Sequence, residues 1–286
     1  MTDQTQAPPQ APLILSRRAG AVLRLSLNRP AARNALSEGL MAALQTALDD
    51  AGRDPAIHAI VLAAEGTAFS AGHDLREMTA HRQDSDGGKA AYAALFVQCS
   101  KLMQTIVRHR VPVIAEVQGI ATAAGCQLVA SCDLAVAAST ARFATPGVNI
   151  GLFCSTPMVA LSRNVSRKHA MEMLLTGDMV AAEDAKAMGL VNRVVHPETL
   201  ESETMALAAK VAAKPYATVK TGKDAFYRQL EMGLEDAYAY TARVMTENML
   251  AGEACEGIGA FLEKREPNWP QFSSSPLVGE GGAPKA

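Results

Sequence analysis

Residues 111–133 read VPVIAEVQGIATAAGCQLVASCD. Val111–Val117 is an apolar run broken only by Pro112 and Glu116, and it predicts a strand. Gln118-Gly119 makes a turn, after which the small residues Ala121–Ala130 predict the start of a buried helix. A strand that feeds a helix through a glycine turn aims unsatisfied backbone N–H groups at one spot. Such a spot can hold an anion or stabilise a developing oxyanion. Small side chains also let a ligand approach the main chain closely. The same pattern serves equally as a packing junction in an α/β core, so a second signal is needed.

That signal lies upstream, in Phe69–Met78, FSAGHDLREM, which follows the apolar run Ile57–Ala64. Ala71-Gly72 is a backbone-exposing turn, and Asp74 is placed to cap the helix that begins at Leu75-Arg76-Glu77. Two strand-and-turn units, each offering a backbone N–H, make a two-donor oxyanion hole if they meet in space.

The rest of the chain frames these stretches. Val22–Asn28 alternates apolar and polar residues and predicts a half-buried strand; Ser37 is placed to cap a helix carrying Leu40, Leu44 and Leu48. Ile57–Ala64 predicts a strand covered on both faces. Thr79–Lys89, TAHRQDSDGGK, reads as a polar connector able to cover a site, and Ala90–His109 as a helix. A strand at Leu134–Ala138, helical pieces either side of Ser166, a helix Ala182–Met188 and a strand Val191–Val195 follow. Such alternation predicts an α/β class with mostly parallel strands. After His196-Pro197 the strand signals stop, and four helical stretches run to Lys264.

A net charge of -2 without a long basic run gives no footprint for nucleic acid or an anionic membrane. No apolar stretch reaches membrane-spanning length. MTDQTQAPPQAP lacks the basic start and apolar centre of a secretory signal and reads as a flexible leader; the residues from Ser273 onward read as a disordered end. The expected organisation is a leader (1–12), an α/β core (13–197), a helical region (198–270) and a tail (271–286). Cys99, Cys126, Cys132, Cys154 and Cys255 show no zinc-type spacing, so no metal is expected. They are expected as buried free thiols in a cytoplasmic protein.

Asn28-Arg29-Pro30, Asn34-Ala35-Leu36, Ala71-Gly72-His73-Asp74-Leu75, Gly119 through Asp133, Thr176-Gly177-Asp178 and Gly189-Leu190-Val191 occur in one order and spacing. Together they resemble the crotonase superfamily, the enoyl-CoA hydratase/isomerase-like proteins, over roughly Leu13 to Pro270. The resemblance implies a crotonase (ClpP-like) fold of repeated ββα units with a C-terminal helical trimerisation region. It implies an acyl-CoA substrate, with coenzyme A as part of that substrate and no separate cofactor. It also implies a homo-oligomer, either a trimer or a dimer of trimers.

Carried over by position, the oxyanion donors are the backbone amides of His73 and Ala124. The two glutamates of the hydratases fall at Gln127 and Gly147, so neither acid/base carboxylate is present. An amide does not titrate usefully, and glycine offers no side chain. Asn149, Ser155, Thr156, Cys154 and the titratable His73 are the other polar candidates, from segments associated with the pocket. Arg29, Arg33, Ala35, Ala71, Asp74, Leu75, Arg76, Phe261 and Lys264 match positions expected to contact CoA. AGHDL with Gly151–Pro157 resembles the enoyl-CoA hydratase domain-containing protein 3 group, which shares the departure from two glutamates. The resemblance leaves three activities open: a hydratase-like lyase, a decarboxylase of the methylmalonyl-CoA type, and a non-catalytic acyl-CoA binder.

Overall fold

The structure, a computed structural model, describes residues 11–269 and comprises two compact units, Met1–Tyr227 and Arg228–Ala286. Residues 1–10 of the expected leader (1–12) and the whole of the expected tail (271–286) lie outside the described residues.

The first unit opens with a hairpin, β1 (Ile14–Ala19) and β2 (Val22–Leu27), turned at Gly20 with φ +58°. β1 gives little signal in the sequence because it is an edge strand with Arg17 and Arg18 in solvent. After α1 (Glu38–Arg53) come β3 (Ala59–Ala64), β4 (Ala68–Ser70), α2 (Leu75–Ala80) and α3 (Lys89–Val107). Next are β5 (Val113–Val117), β6 (Ile120–Thr122), α4 (Ala124–Ser131), β7 (Leu134–Ala138), β8 (Arg142–Ala144), α5 (Pro157–Leu161) and α6 (Arg167–Thr176). β9 (Val180–Ala181), α7 (Ala182–Met188), β10 (Arg193–Val195), α8 (Leu200–Ala212) and α9 (Tyr216–Gln229) follow.

β3–β4, β5–β6 and β7–β8 each send one strand to a six-stranded sheet and the next to a four-stranded sheet before a helix begins. The sheet orders are β1-β2-β3-β5-β7-β10 and β4-β6-β8-β9. Pairing is parallel except for β1–β2 and β8–β9. The expected α/β class with repeated ββα units is therefore present.

Ser37 caps α1 by accepting from Leu40 N at 3.1 Å, and Leu40, Leu44 and Leu48 bury on the sheet with Leu25, Leu62 and Leu102. The opposite face of the sheet is covered by α8, which packs Leu200 and Ala208 on Val22, Val61, Ile114 and Val136. This corrects the half-buried reading of β2. Its polar residues lie under cover as well, because Arg24 pairs with Glu116 of β5 at 2.6 Å. Glu116, which interrupts the apolar run, is thus a buried ion-pair partner. α8 and α9 stay with the sheets, so the first unit extends past the boundary at 197 read from the sequence.

Two local expectations change. β6 intervenes between the Gly119 turn and α4, so the segment from Ala121 does not start directly as helix. The 79–89 connector is tied down: Tyr92 Oη donates to Met78 O at 2.9 Å, and His81 Nδ1 contacts Asp84 at 2.8 Å. The strand Val180–Ala181 carried no signal that the sequence reading used.

α9 is anchored by a buried polar knot. Lys223 Nζ donates to Asp133 Oδ2 at 2.6 Å and to the carbonyls of Ile106 and Val111, both at 3.2 Å. Asp133 also accepts from Tyr227 Oη at 2.9 Å and from Val113 N at 2.7 Å.

The second unit holds α10 (Leu234–Leu250) and α11 (Gly252–Glu263), with Glu256 gripping Arg265 at 2.6 Å. It leaves Leu234, Leu250, Phe261 and Leu262 more than 70 % exposed. Cys255 is also exposed, which corrects the expectation of a buried thiol there; the other four cysteines are buried.

Candidate active site

The turn after β4 and the start of α4 touch. A methyl placed on Gly72 would lie 2.9 Å from Ala123 Cβ, 3.1 Å from Thr122 O and 3.5 Å from Ala124 N. Gly72 also has φ +88°, which a residue with a Cβ rarely adopts. At the second residue of α4, a methyl on Gly125 would lie 2.3 Å from Ser70 O. Glycine at both positions lets the two backbones meet.

Each segment contributes an unpaired amide. Gly72 O accepts from Leu36 N and Asp74 N donates to Leu36 O, so the parallel bridge at Leu36 consumes the groups on either side of His73. The His73 N–H therefore points away from that bridge. In α4 the first turn closes with Gln127 N donating to Ala123 O, which leaves the Ala124 amide outside the helix ladder. Neither the His73 nor the Ala124 amide has an acceptor among the described residues. Ala123, just before the helix, sits at φ 50°, ψ -118°, a strained conformation for alanine that costs about 1–3 kcal/mol. Ala123 N, held by Ala144 O at 2.9 Å, keeps it in place.

The His73 ring packs edge-on against Phe96 of α3, with centroids 5.7 Å apart. Burial lowers its pKa, so the imidazole is neutral at pH 7. The Leu36 backbone lies near the ring but makes no well-aligned hydrogen bond, and both ring nitrogens remain unpaired. Gln127 is buried on α4, with the Cys99 thiol of α3 at 3.9 Å from its Oε1.

Position 147 is closed. A Cβ on Gly147 would lie 2.6 Å from Leu152 O and 2.9 Å from Cys154 Sγ, because residues 151–154 fold back over it. Leu152 N donates to Gly147 O at 2.9 Å to hold that return. Burial pushes the Cys154 thiol up, so it stays protonated and is a poor nucleophile. Asn149 is exposed, and its Nδ2 lies 2.9 Å from where a Gly177 Cβ would be.

The loop 29–36 is laced to 71–76. Ala71 N donates to Arg33 O at 3.0 Å, and Arg29 Nη1 reaches Asp74 Oδ2 at 2.5 Å and Ala35 O at 3.2 Å. Asn34 is the organiser that sequence reasoning left without a role. Its Nδ2 donates to Glu65 O and Ala68 O, both at 2.8 Å, and its Oδ1 accepts from Arg29 N at 2.8 Å. Its φ of 51° is one that asparagine tolerates better than most residues, which is the signal that could have marked it. Arg33, Ala71, Leu75 and Arg76 are exposed around this lacing, and Ala35 is half-buried. Phe261 and Lys264 belong to the second unit and are exposed.

Asp74 caps α2, accepting from Arg76 N at 3.0 Å and Glu77 N at 3.4 Å. Burial works against its ionisation, but the Arg29 guanidinium and the two amides outweigh that and hold its carboxyl below the usual range. A depressed folded pKa contributes stability above the unfolded value of about 3.9 and loses it as pH falls toward the folded pKa. Asp74→Asn should therefore lower stability by about 1–2 kcal/mol near neutral pH. Denaturant melts at several pH values should show the gap between variant and parent closing below about pH 4.

A family model described as enoyl-CoA hydratase/isomerase matches residues 17–272. The chain belongs to the enoyl-CoA hydratase/isomerase family. It is therefore a member of a family of acyl-CoA enzymes. Among family members, it is 48 % identical over 258 residues to enoyl-CoA hydratase domain-containing protein 3, mitochondrial, of Xenopus laevis, covering 90 % of this chain and 86 % of that one. The Homo sapiens protein of the same name is 47 % identical over 255 residues, covering 89 % and 82 %. A crystal structure of an enoyl-CoA hydratase from Mycobacterium smegmatis superposes with a TM-score of 0.86 at 54 % identity, covering 91 % of this chain and 100 % of that one. The crystal structure of the human domain-containing protein 3 gives 0.85 at 44 % identity, covering 90 % and 100 %. These family relatives overturn the cytoplasmic location expected from sequence: the Xenopus and human proteins are both named mitochondrial.

Proposed function

We propose that the amides of His73 and Ala124 grip the carbonyl oxygen of an acyl-CoA thioester and stabilise the enolate formed from it, without the two glutamates of the hydratases. The observation that carries this reading is a pair of unpaired amides on two segments in contact, Gly72-His73 and Ala123-Ala124. Backbone donors held in place before the reaction stabilise developing negative charge without reorganising, each contributing about 3–4 kcal/mol. Exposed Arg33 and Arg76 flank the same loops and suit the phosphates of CoA. Arg29 instead holds Asp74, so its role is to set the loop. Phe261 and Lys264 enter as CoA contacts, and Asn149 as a polar site residue, through the family resemblance alone. The exposed apolar residues of α10 and α11 support a homo-oligomer, trimer or dimer of trimers, that covers them.

Hydration requires a base to activate water and an acid to protonate the α-carbon. Gln127 cannot fill either role, and the folded-back loop fills the space beside Gly147. That closed position favours a second reading within the same site, decarboxylation of a malonyl-type thioester, which needs the enolate hole but no activated water.

Calorimetry with crotonyl-CoA, butyryl-CoA and CoA alone tests the acyl-CoA reading. The thioesters should bind more tightly than CoA, with crotonyl-CoA hydration absent or very slow. Absence of thioester binding would sink the reading, and carbon dioxide release from methylmalonyl-CoA would select the decarboxylase.

A further inference from the structure

Between α2 and α3 the chain makes a closed loop, residues 81–88. Its ends meet, for a Cβ on Gly88 would lie 2.8 Å from His81 O. Asp84 N donates to His81 O at 3.0 Å and Gly87 N to Asp84 O at 2.9 Å, so the loop is folded on itself. Surface loops of this closed kind are frequently functional. This one continues directly from α2, which begins two residues after His73.

α2 buries none of its residues, and among its apolar side chains Met78 alone packs against the main core. Polar ties must therefore hold helix and loop in place. Asp74 pairs with Arg29 at the start, Glu77 Oε2 accepts from Glu38 N at 3.0 Å, and Met78 O accepts from Tyr92 Oη at 2.9 Å. At the far end His81 sits between two carboxylates. Its Nδ1 lies 2.8 Å from Asp84 Oδ2, and its Nε2 lies 3.6 Å from Glu38 Oε1 at the start of α1.

An imidazolium donates from both nitrogens and satisfies both carboxylates at once. A neutral imidazole has a single N–H, so its other nitrogen turns a lone pair toward a negative oxygen. Neither Asp84 nor Glu38 pairs with a Lys or Arg among the described residues, so the ring carries the only positive charge of the trio. Glu77 of α2 is turned to the Glu38 amide, and Asp86 to the start of α3, where it accepts from Gly88 N and Ala90 N. α3 offers the cluster uncharged Gln98, on Glu38 O. Of the side chains in these ties, only histidine has an ordinary pKa between pH 5 and 8. The Asp84 hydrogen bond, with the charges of Asp84 and Glu38, holds the His81 pKa above the ordinary histidine value.

We propose that His81 is a pH-operated clasp: protonated, it ties α2 and the 81–88 loop to α1, and deprotonated, it lets them open. A histidine whose folded pKa is raised stabilises fully below its unfolded value of about 6.5, and that contribution is lost as pH rises through the folded pKa. Loosening follows alkalinity, and it frees the segment that starts beside the His73 amide. The clasp is a property of the free chain and stands whatever the site binds. The ring is 35 % exposed, so each contact has the strength of a surface ion pair, and opening should change by roughly 3- to 10-fold.

Hydrogen exchange on the full chain, read as protection factors at about pH 6 and about pH 9, tests it. The amides of Met78, Asp84 and Gly87 should lose roughly 3- to 10-fold of their protection at the higher pH, while those of β3 and β5 hold theirs. His81→Gln should show the weaker protection at both pH values. His81→Arg, a permanent cation, should show the stronger protection at both. Protection in the parent that does not change with pH, or a change that persists in His81→Gln, would overturn the proposal. Neither result bears on the acyl-CoA reading, which thioester binding decides.

Discussion

Gly125→Ala should reduce thioester turnover, or affinity for an enolate-mimicking thioester, by about 100- to 1,000-fold. The new methyl would sit 2.3 Å from Ser70 O, 2.8 Å from Ser70 Cβ and 2.9 Å from Ser70 C. Two of those atoms are main chain, and the strand that carries them pairs with β6, so no side chain can swing aside. Ordinary contact begins near 3.4 Å, so α4 must retreat from β4 by about an ångström. That retreat draws the Ala124 amide away from the Gly72-His73 turn, and a misplacement of this size can alone cost about 100-fold. Gly222→Ala is the control. Gly222 lies in α9 with nothing within 4 Å of its would-be Cβ, so alanine there should leave function intact and raise stability by about 0.5–1 kcal/mol. Steady-state kinetics or calorimetry, with circular dichroism to verify the fold, decides it. Parent-like function in Gly125→Ala would contradict the two-loop site.

Lys223→Met should give the largest loss of stability, about 3–5 kcal/mol. The ammonium group spends its three donors on Asp133 and the carbonyls of Ile106 and Val111. Methionine preserves the length of the side chain but strands a largely covered carboxylate and leaves two carbonyls a donor short. Tyr227 and the Val113 amide would remain as partners of Asp133, yet neither carries a charge. An apparent Tm lower by roughly 6–20 °C is expected for a chain of this size. Adding Asp133→Leu should recover much of the loss, since replacing both ions with apolar groups is often close to neutral. A single variant that melts with the parent would show that the knot adds little.

Elements with a strong local signature were legible before the structure. Ser37 and Asp74 cap the helices they were expected to cap, Ser166 divides α5 from α6, and β3 is covered on both faces. Strands of two or three residues, such as β6 and β9, are too short to set up a period of two, so β6 reads as the start of α4 and β9 as nothing. Burial on the far side of β2 depends on α8, which lies more than 170 residues away in sequence, and no local pattern reports it. At the candidate site, the Gly72 turn and the start of α4 were legible through turn and helix-start chemistry, while His73 and Ala124 were named as donors through the family resemblance. The organising role of Asn34 and the closure of the chain over Gly147 were not legible there. The weight of the first rests on its own loop's Arg29 amide and on two carbonyls more than 30 residues away, and that of the second on a return of the chain five residues later.

Because Leu152 O and Cys154 Sγ stand where any Cβ at residue 147 would go, that position cannot drift one mutation at a time. A lineage descending from this chain would have to reroute residues 151–154 before selection could try a larger amino acid there. Loop and glycine are thus inherited as a pair, and one is informative about the other when a new sequence is sorted into this branch or its neighbours.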